Sequence, residues 1–89
     1  MTLSFPNPCR SFEPRQDRVR FWGHDDTLEI TFLLEGTALR KLCPGLSADE
    51  AGVLGAFDSA IAGIHKGAKR AYESARDQSG IVVLTERAF

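Results

Sequence analysis

His24, Asp25 and Asp26 put an imidazole beside two carboxylates, the kind of fragment from which acid–base pairs and metal sites are assembled, because a nearby carboxylate favours the protonated ring. An Asp-Asp pair is equally what a solvated hairpin tip carries. The two cysteines, Cys9 and Cys43, lie far apart and outside any ligand-spaced cluster, which argues against a structural zinc site. Neither has a histidine close in sequence, and no serine sits in a glycine-flanked elbow, so no nucleophile stands out. Gly63 and Gly67 flank Ile64-His65-Lys66 within a helical stretch rather than between strand and helix, so they form no phosphate loop. No catalytic residue, cofactor site or metal site is assigned, and the chain is expected not to be an enzyme.

Binding chemistry is better represented. Arg18, Arg20, Trp22 and His24 alternate along one side of a strand, with Glu29 and Thr31 on the matching side of the next. Arginine beside an indole can stack on a planar group, and such mixtures occur at binding hot spots. The competing account pairs Arg20 with Glu29 across the strands and covers Trp22 with the N-terminal arm or the far half of a helix. A second basic stripe carries His65, Lys66, Lys69 and Arg70, with Glu73 and Asp77 interrupting it as on an ordinary wet helix face. Together these residues make the candidate interaction surface. Recognition of single-stranded nucleic acid by a sheet normally uses several aromatic platforms, and this strand offers one tryptophan.

The elements that position these residues follow from periodicity. Residues 1–9 read as an extended arm, broken by Pro6 and Pro8. Residues 10–34 form a β-meander, with a turn at Pro14-Arg15-Gln16-Asp17 and a hairpin loop at Asp25-Asp26. A two-residue loop sets His24 opposite Thr27, Trp22 opposite Glu29, Phe21 opposite Ile30 and Val19 opposite Phe32. Any even loop keeps Val19 and Phe21 on the same side as Leu28, Ile30, Phe32 and Leu34. A short helix spans 37–42, stopped by Cys43-Pro44-Gly45. Ser47 and Glu50 form a capping box that starts a long helix over 48–78, ending at Ser79-Gly80. That length, roughly 45 Å at 1.5 Å per residue, exceeds the small sheet beside it. Ile81-Val82-Val83-Leu84 opens a closing strand over 81–85, buried on both faces. Gly55, Ser59, Gly63, Gly67 and Ala71 place small side chains along one row of the long helix, a packing row against the protein's own sheet or a dimer seam.

At 89 residues the chain is one domain, and a core this small is economical or shared with a second copy. Forty-three per cent hydrophobic and 26% charged residues exclude disorder, and 11 basic against 12 acidic side chains leave −1, no field for a polyanion. No export signal and no apolar run of about 20 residues is evident, so the protein is expected in the cytoplasm, off the membrane and with reduced thiols.

Leu3-Ser4-Phe5-Pro6-Asn7, Val19-Arg20-Phe21 followed by Trp22-Gly23, Ala56-Phe57-Asp58 with Ile64, Ala68 and Tyr72 further along, and Ile81 to Leu84 follow one another over nearly the whole chain. In their order and spacing the sequence resembles domain-of-unknown-function family 1488. The resemblance implies a small bacterial protein with an α+β fold, and it brings no established activity, cofactor or catalytic residue with it.

The expected architecture is α+β: a two-layer sandwich in which a small antiparallel sheet, the β-meander plus the C-terminal strand, packs against one short and one long helix. The expected function is a non-catalytic protein-interaction or regulatory module, homodimeric or bound to another protein, with no cofactor. The alternative is a nucleic-acid-binding regulator using Arg18, Arg20, Trp22, Lys66, Lys69 and Arg70. A third reading is a small enzyme or metal protein centred on His24 and Asp26.

Overall fold

The computed structural model describes residues 3–6, 9–74 and 80–89. Strand β3 (Arg18–Asp25) and strand β4 (Leu28–Glu35) form its centre, two alternating eight-residue runs joined at Asp26-Thr27. Asp26 takes the left-handed conformation (φ 59°), which aspartate tolerates better than branched residues. The ladder pairs Asp25 with Leu28, Gly23 with Ile30, Phe21 with Phe32 and Val19 with Leu34. Relative to the expected register, the pairing is shifted by two residues. An even shift leaves every side chain on its face, so Val19, Phe21, Ile30, Phe32 and Leu34 are all buried together. Leu28, at the strand's start, stays 52% exposed.

Two short strands share the remaining edge of β3. Strand β1 (Leu3–Ser4) pairs with Asp25 and His24, and β2 (Arg10–Glu13) pairs with residues 21 to 18. Neither of these two ladders includes Trp22 or Gly23. The predicted turn after β2 is present: Asp17 has φ 52°, and its N–H donates to Pro14 O at 3.2 Å.

On the far edge, β5 (Ile81–Leu84) pairs with β4 in parallel, Thr31 with Ile81 and Leu34 with Leu84. The sheet is therefore mixed, not antiparallel as expected. A parallel neighbour requires a crossover, which is supplied by the helices between β4 and β5. As the edge strand, β5 is not buried on both faces: Ile81 and Val83 are each 51% exposed, while Leu84 is buried.

The expected single long helix is also corrected. Among the described residues, three α-helices lie in the crossover: α1 (Gly36–Leu42), α2 (Glu50–Ser59) and α3 (Ile61–Ser74). A 3-10 turn over Glu86–Ala88 follows β5. Ala60, at φ −101° and ψ 13°, leaves the helical region between α2 and α3, although Ala60 N still donates to Ala56 O at 3.0 Å. Breaking the run lets α2 lie against β2 while α3 packs towards β5. The start differs as well. Asp49, not Ser47, is the N-cap, its carboxylate accepting from Gly52 N at 2.9 Å. The expected end over residues 75–78, with Ser79, lies outside the described residues.

All three helices bury their apolar residues on one side of the sheet. Ala38 and Leu39 from α1, Val53 and Phe57 from α2, and Ile64 and Ala68 from α3 meet the inner residues of β3 and β4 and Leu84 of β5. Among the described residues, no helix packs on the other face. Among the described residues, polar ties between the layers include Arg10 to both oxygens of Asp58 (2.9 and 2.8 Å), Arg40 to Asp17 (3.3 and 2.9 Å) and Tyr72 Oη donating to Asp25 Oδ2 (2.7 Å), while Lys41 Nζ donates to Glu86 O of the closing turn (3.2 Å).

Candidate functional site

The uncovered sheet face is built by alternation. On β3 it carries Arg18, Arg20, Trp22 and His24; on β4, Glu29, Thr31, Leu33 and Glu35; on β5, Ile81 and Val83. Arg20, Leu33 and Val83 lie in one row across the strands, and Trp22, Thr31 and Ile81 in the next. An apolar strip therefore runs from Trp22 and Leu33 to the exposed Ile81 and Val83, with charge along its β3 border. Arg18 Nε and Arg20 Nε both donate to Glu13, at 2.6 and 2.9 Å. Those hydrogen bonds, Arg18's first, hold the Glu13 carboxyl below the usual carboxylate range. The two arginines on this face thus share one carboxylate within the chain, that of Glu13, rather than Arg20 pairing with Glu29 as in the competing account.

Glu29 instead faces His24 across the ladder, Oε2 at 4.0 Å from Nε2. The His24-Asp25-Asp26 fragment is dispersed: Asp25 accepts from Tyr72, and Asp26 sits exposed in the turn. Hydrogen bonding to Asp25 raises the Tyr72 phenol above its ordinary value. Among the described residues, no group of three His, Cys, Asp or Glu side chains is placed to hold a metal ion.

His65 does not join the surface with Arg18 and Trp22. Its ring lies against Phe5, centroids 3.9 Å apart and planes within 5°, on the helix side of the sheet. Burial, and secondarily the charge of Lys69, lower its pKa. Lys66, Lys69 and Arg70 are exposed on α3, which packs on the inner face, so the two halves of the sequence-derived surface lie on different sides of the molecule. The small-residue row also divides. A methyl group at Gly55 or Gly63 would meet nothing within 4 Å, and Ser59 is exposed, whereas Gly67 is filled from outside by the ring of Phe89. Ala71 is half-buried against the core.

Phe5, the residue after β1, is the one whose ring stacks on His65. A methyl group at Gly23 would stand 2.9 Å from Phe5 Cε1 and 3.1 Å from Phe32 Cε2, so glycine makes room for the ring. Beside Phe5 opens a pocket of about 280 Å3, walled by Phe5, Phe21, Phe57, Ile61 and His65 and bordered by Cys9, Trp22 and Asp58. Phe21 and Phe57 meet edge to face at 5.2 Å. Sequence reasoning singled out His65 and Trp22 but did not assign Phe5, Cys9, Phe57, Asp58 or Ile61 to a site. The local signal was slight, a phenylalanine before Pro6 in an arm and an Ala-Phe-Asp step in a helix; only folding brings positions 5, 21, 57 and 65 together. Leu33, Ile81 and Val83 were likewise missed, because their periodicity speaks equally for a core.

Comparison with known proteins places one family over this framework: residues 3–84 match the model described as "Protein of unknown function (DUF1488)". The chain belongs to that family. No curated protein and no solved structure matches it.

Proposed function

We propose that this member of the DUF1488 family is a non-catalytic protein-interaction module of the cytoplasm, whose open sheet face meets the same face of a second copy. The observation that carries the proposal is the exposed pair Ile81 and Val83, continued across the strands by half-buried Trp22 and buried Leu33, on a sheet side that no described helix covers. Exposed apolar strips rimmed by polar residues mark association surfaces. A second copy fits because the face is electrically mixed: Arg18 and Arg20 share the single carboxylate of Glu13, and β4 adds Glu29 and Glu35. Two such faces related by a two-fold axis meet without a large like-charge penalty. The formal net charge of −1 works in the same direction. Packing sheet on sheet would also give a small domain a shared second core.

Sedimentation velocity across the micromolar range tests this. The expected result is a concentration-dependent shift to twice the chain mass, abolished by Val83→Asp with the melting temperature preserved. A wild-type chain that stays monomeric throughout would sink the proposal. The nucleic-acid alternative is less well supported, because the two strand arginines are already paired and Lys66, Lys69 and Arg70 project from another side of the fold.

A further inference from the structure

We infer that the pocket beneath Phe5 is a binding site for a neutral, planar, single-ring aromatic molecule carrying a hydroxyl, of the phenol class. The site shares only Trp22 with the open sheet face: it lies between Phe5 and Cys9, β3 and the α2–α3 junction.

Four observations define the ligand. Size is the first: a cavity of about 150 Å3 lined by apolar side chains suffices for benzene, and this pocket of about 280 Å3 admits one ring with substituents. Shape is the second. Phe5 and His65 already stack in parallel, and Phe21 with Phe57 presents an edge-to-face pair, so the walls supply both geometries that aromatic rings prefer. Charge is the third. The carboxylate bordering the pocket, Asp58, accepts two hydrogen bonds from Arg10, and Lys69 is exposed outside it, so no unanswered charge faces the cavity. A charged ligand would lose its hydration without compensation. The fourth is a polar group in the wall: the His65 ring is half-buried, and since no buried side-chain nitrogen or oxygen among the described residues lacks a partner, any of its nitrogens without a protein hydrogen bond is open to solvent and so to a ligand. A neutral imidazole offers one donor and one acceptor, which a ligand hydroxyl can satisfy.

Nitrogen-15 chemical-shift titration with para-cresol provides the test, with benzoate, benzylamine and cyclohexanol as probes of similar size that are anionic, cationic and non-planar. The expected result is saturable shifts at Phe5, Ile61 and His65, with affinity at least about tenfold tighter for para-cresol than for the other three. His65→Phe keeps the stacking wall and removes the nitrogens; it should weaken para-cresol about tenfold, the ratio that roughly 1.4 kcal/mol for one hydrogen bond represents. Ile61→Phe, at a half-buried position, fills the pocket and should abolish the shifts while the rest of the spectrum keeps its dispersion. Equal affinity for all four probes, or no saturable shift at these residues, would overturn the inference. Because the readout residues lie away from Val83, the Val83→Asp variant should bind para-cresol as the wild type does, whether or not the chain dimerises.

Discussion

Gly23 and His65 show how much of the inner structure depends on single side chains. Gly23 is the position where β3 lacks a Cβ, and Phe5 occupies the space from the arm, in contact with Phe32 and the stacked His65. Gly23→Val should therefore cost about 1–3 kcal/mol in urea denaturation, as overpacking does, even though valine favours strands more than glycine. A stabilised variant would show that Phe5 does not pack there. His65 carries a pH signature. Burial lowers its folded-state pKa from the ordinary 6.5, so the unfolded chain binds the proton more readily. Its contribution is complete above about 6.5 and is lost as the pH falls through the lowered folded value. Stability should decline on acidification in that window, before the carboxylates titrate, and His65→Gln should flatten this part of the curve while leaving the lower part. The lower part belongs to Glu13 and Asp17, whose hydrogen bonds from Arg18 and Arg40 respectively depress their pKa values; their contribution is present above the ordinary carboxyl range and fades below it.

At the scale of elements, the helices are held by local chemistry at their ends and by packing along their length. Asp49 accepts from Gly52 N at the start of α2, while Ser47, three residues before Glu50, makes no cap there. Asp49→Ala should destabilise by about 1 kcal/mol and Ser47→Ala by less than about 0.5 kcal/mol in thermal or denaturant unfolding. The opposite order would restore the capping box. At the other end of the helical layer, Phe89 covers Gly67 of α3, and Ala88 N and Phe89 N donate within the closing turn at 3.0 and 3.1 Å. Phe89→Ala removes a half-buried ring from that slot and should cost about 1–2 kcal/mol. The division at Ala60 belongs to this scale too. Phe57 and Ile64 are both buried, and the apolar stripe continues across the break, which is why periodicity alone presents one helix where the fold makes two.

For the whole molecule, the decisive feature is asymmetry between the two sides of the sheet. One side carries every described α-helix and the buried core; the other carries a mixed strip of arginine, glutamate, tryptophan and β-branched residues. If the strip joins two copies by apolar contact, with Arg18 and Arg20 already bound to Glu13, the association should be nearly independent of added salt. Binding to phosphates would weaken steeply with salt instead. Sedimentation at low and high ionic strength separates the two, and a dissociation constant that rises in proportion to a power of the salt concentration would count against the apolar strip. None of the described helices is long and apolar enough to cross a membrane.

Alternation at Val19, Phe21, Ile30, Phe32 and Leu34 was enough to determine the central hairpin and its buried side, because a side-chain period of two survives any even change in loop length. Family membership was legible in the same way, from ordered spacing over most of the chain. The parallel direction of β5, the break at Ala60 and the Asp49 cap were not legible. Each depends on where the chain must be after crossing the sheet, a constraint that no local window contains. The same holds for the sites. Arg18, Arg20 and Trp22 could be placed on one strand face by counting, but their pairing with Glu13 and their separation from Lys66 and Lys69 needed the layers to be assembled. The pocket at Phe5, Phe57, Ile61 and His65 was decided by tertiary structure alone, since it exists only where Phe5, the central strand and two helices converge.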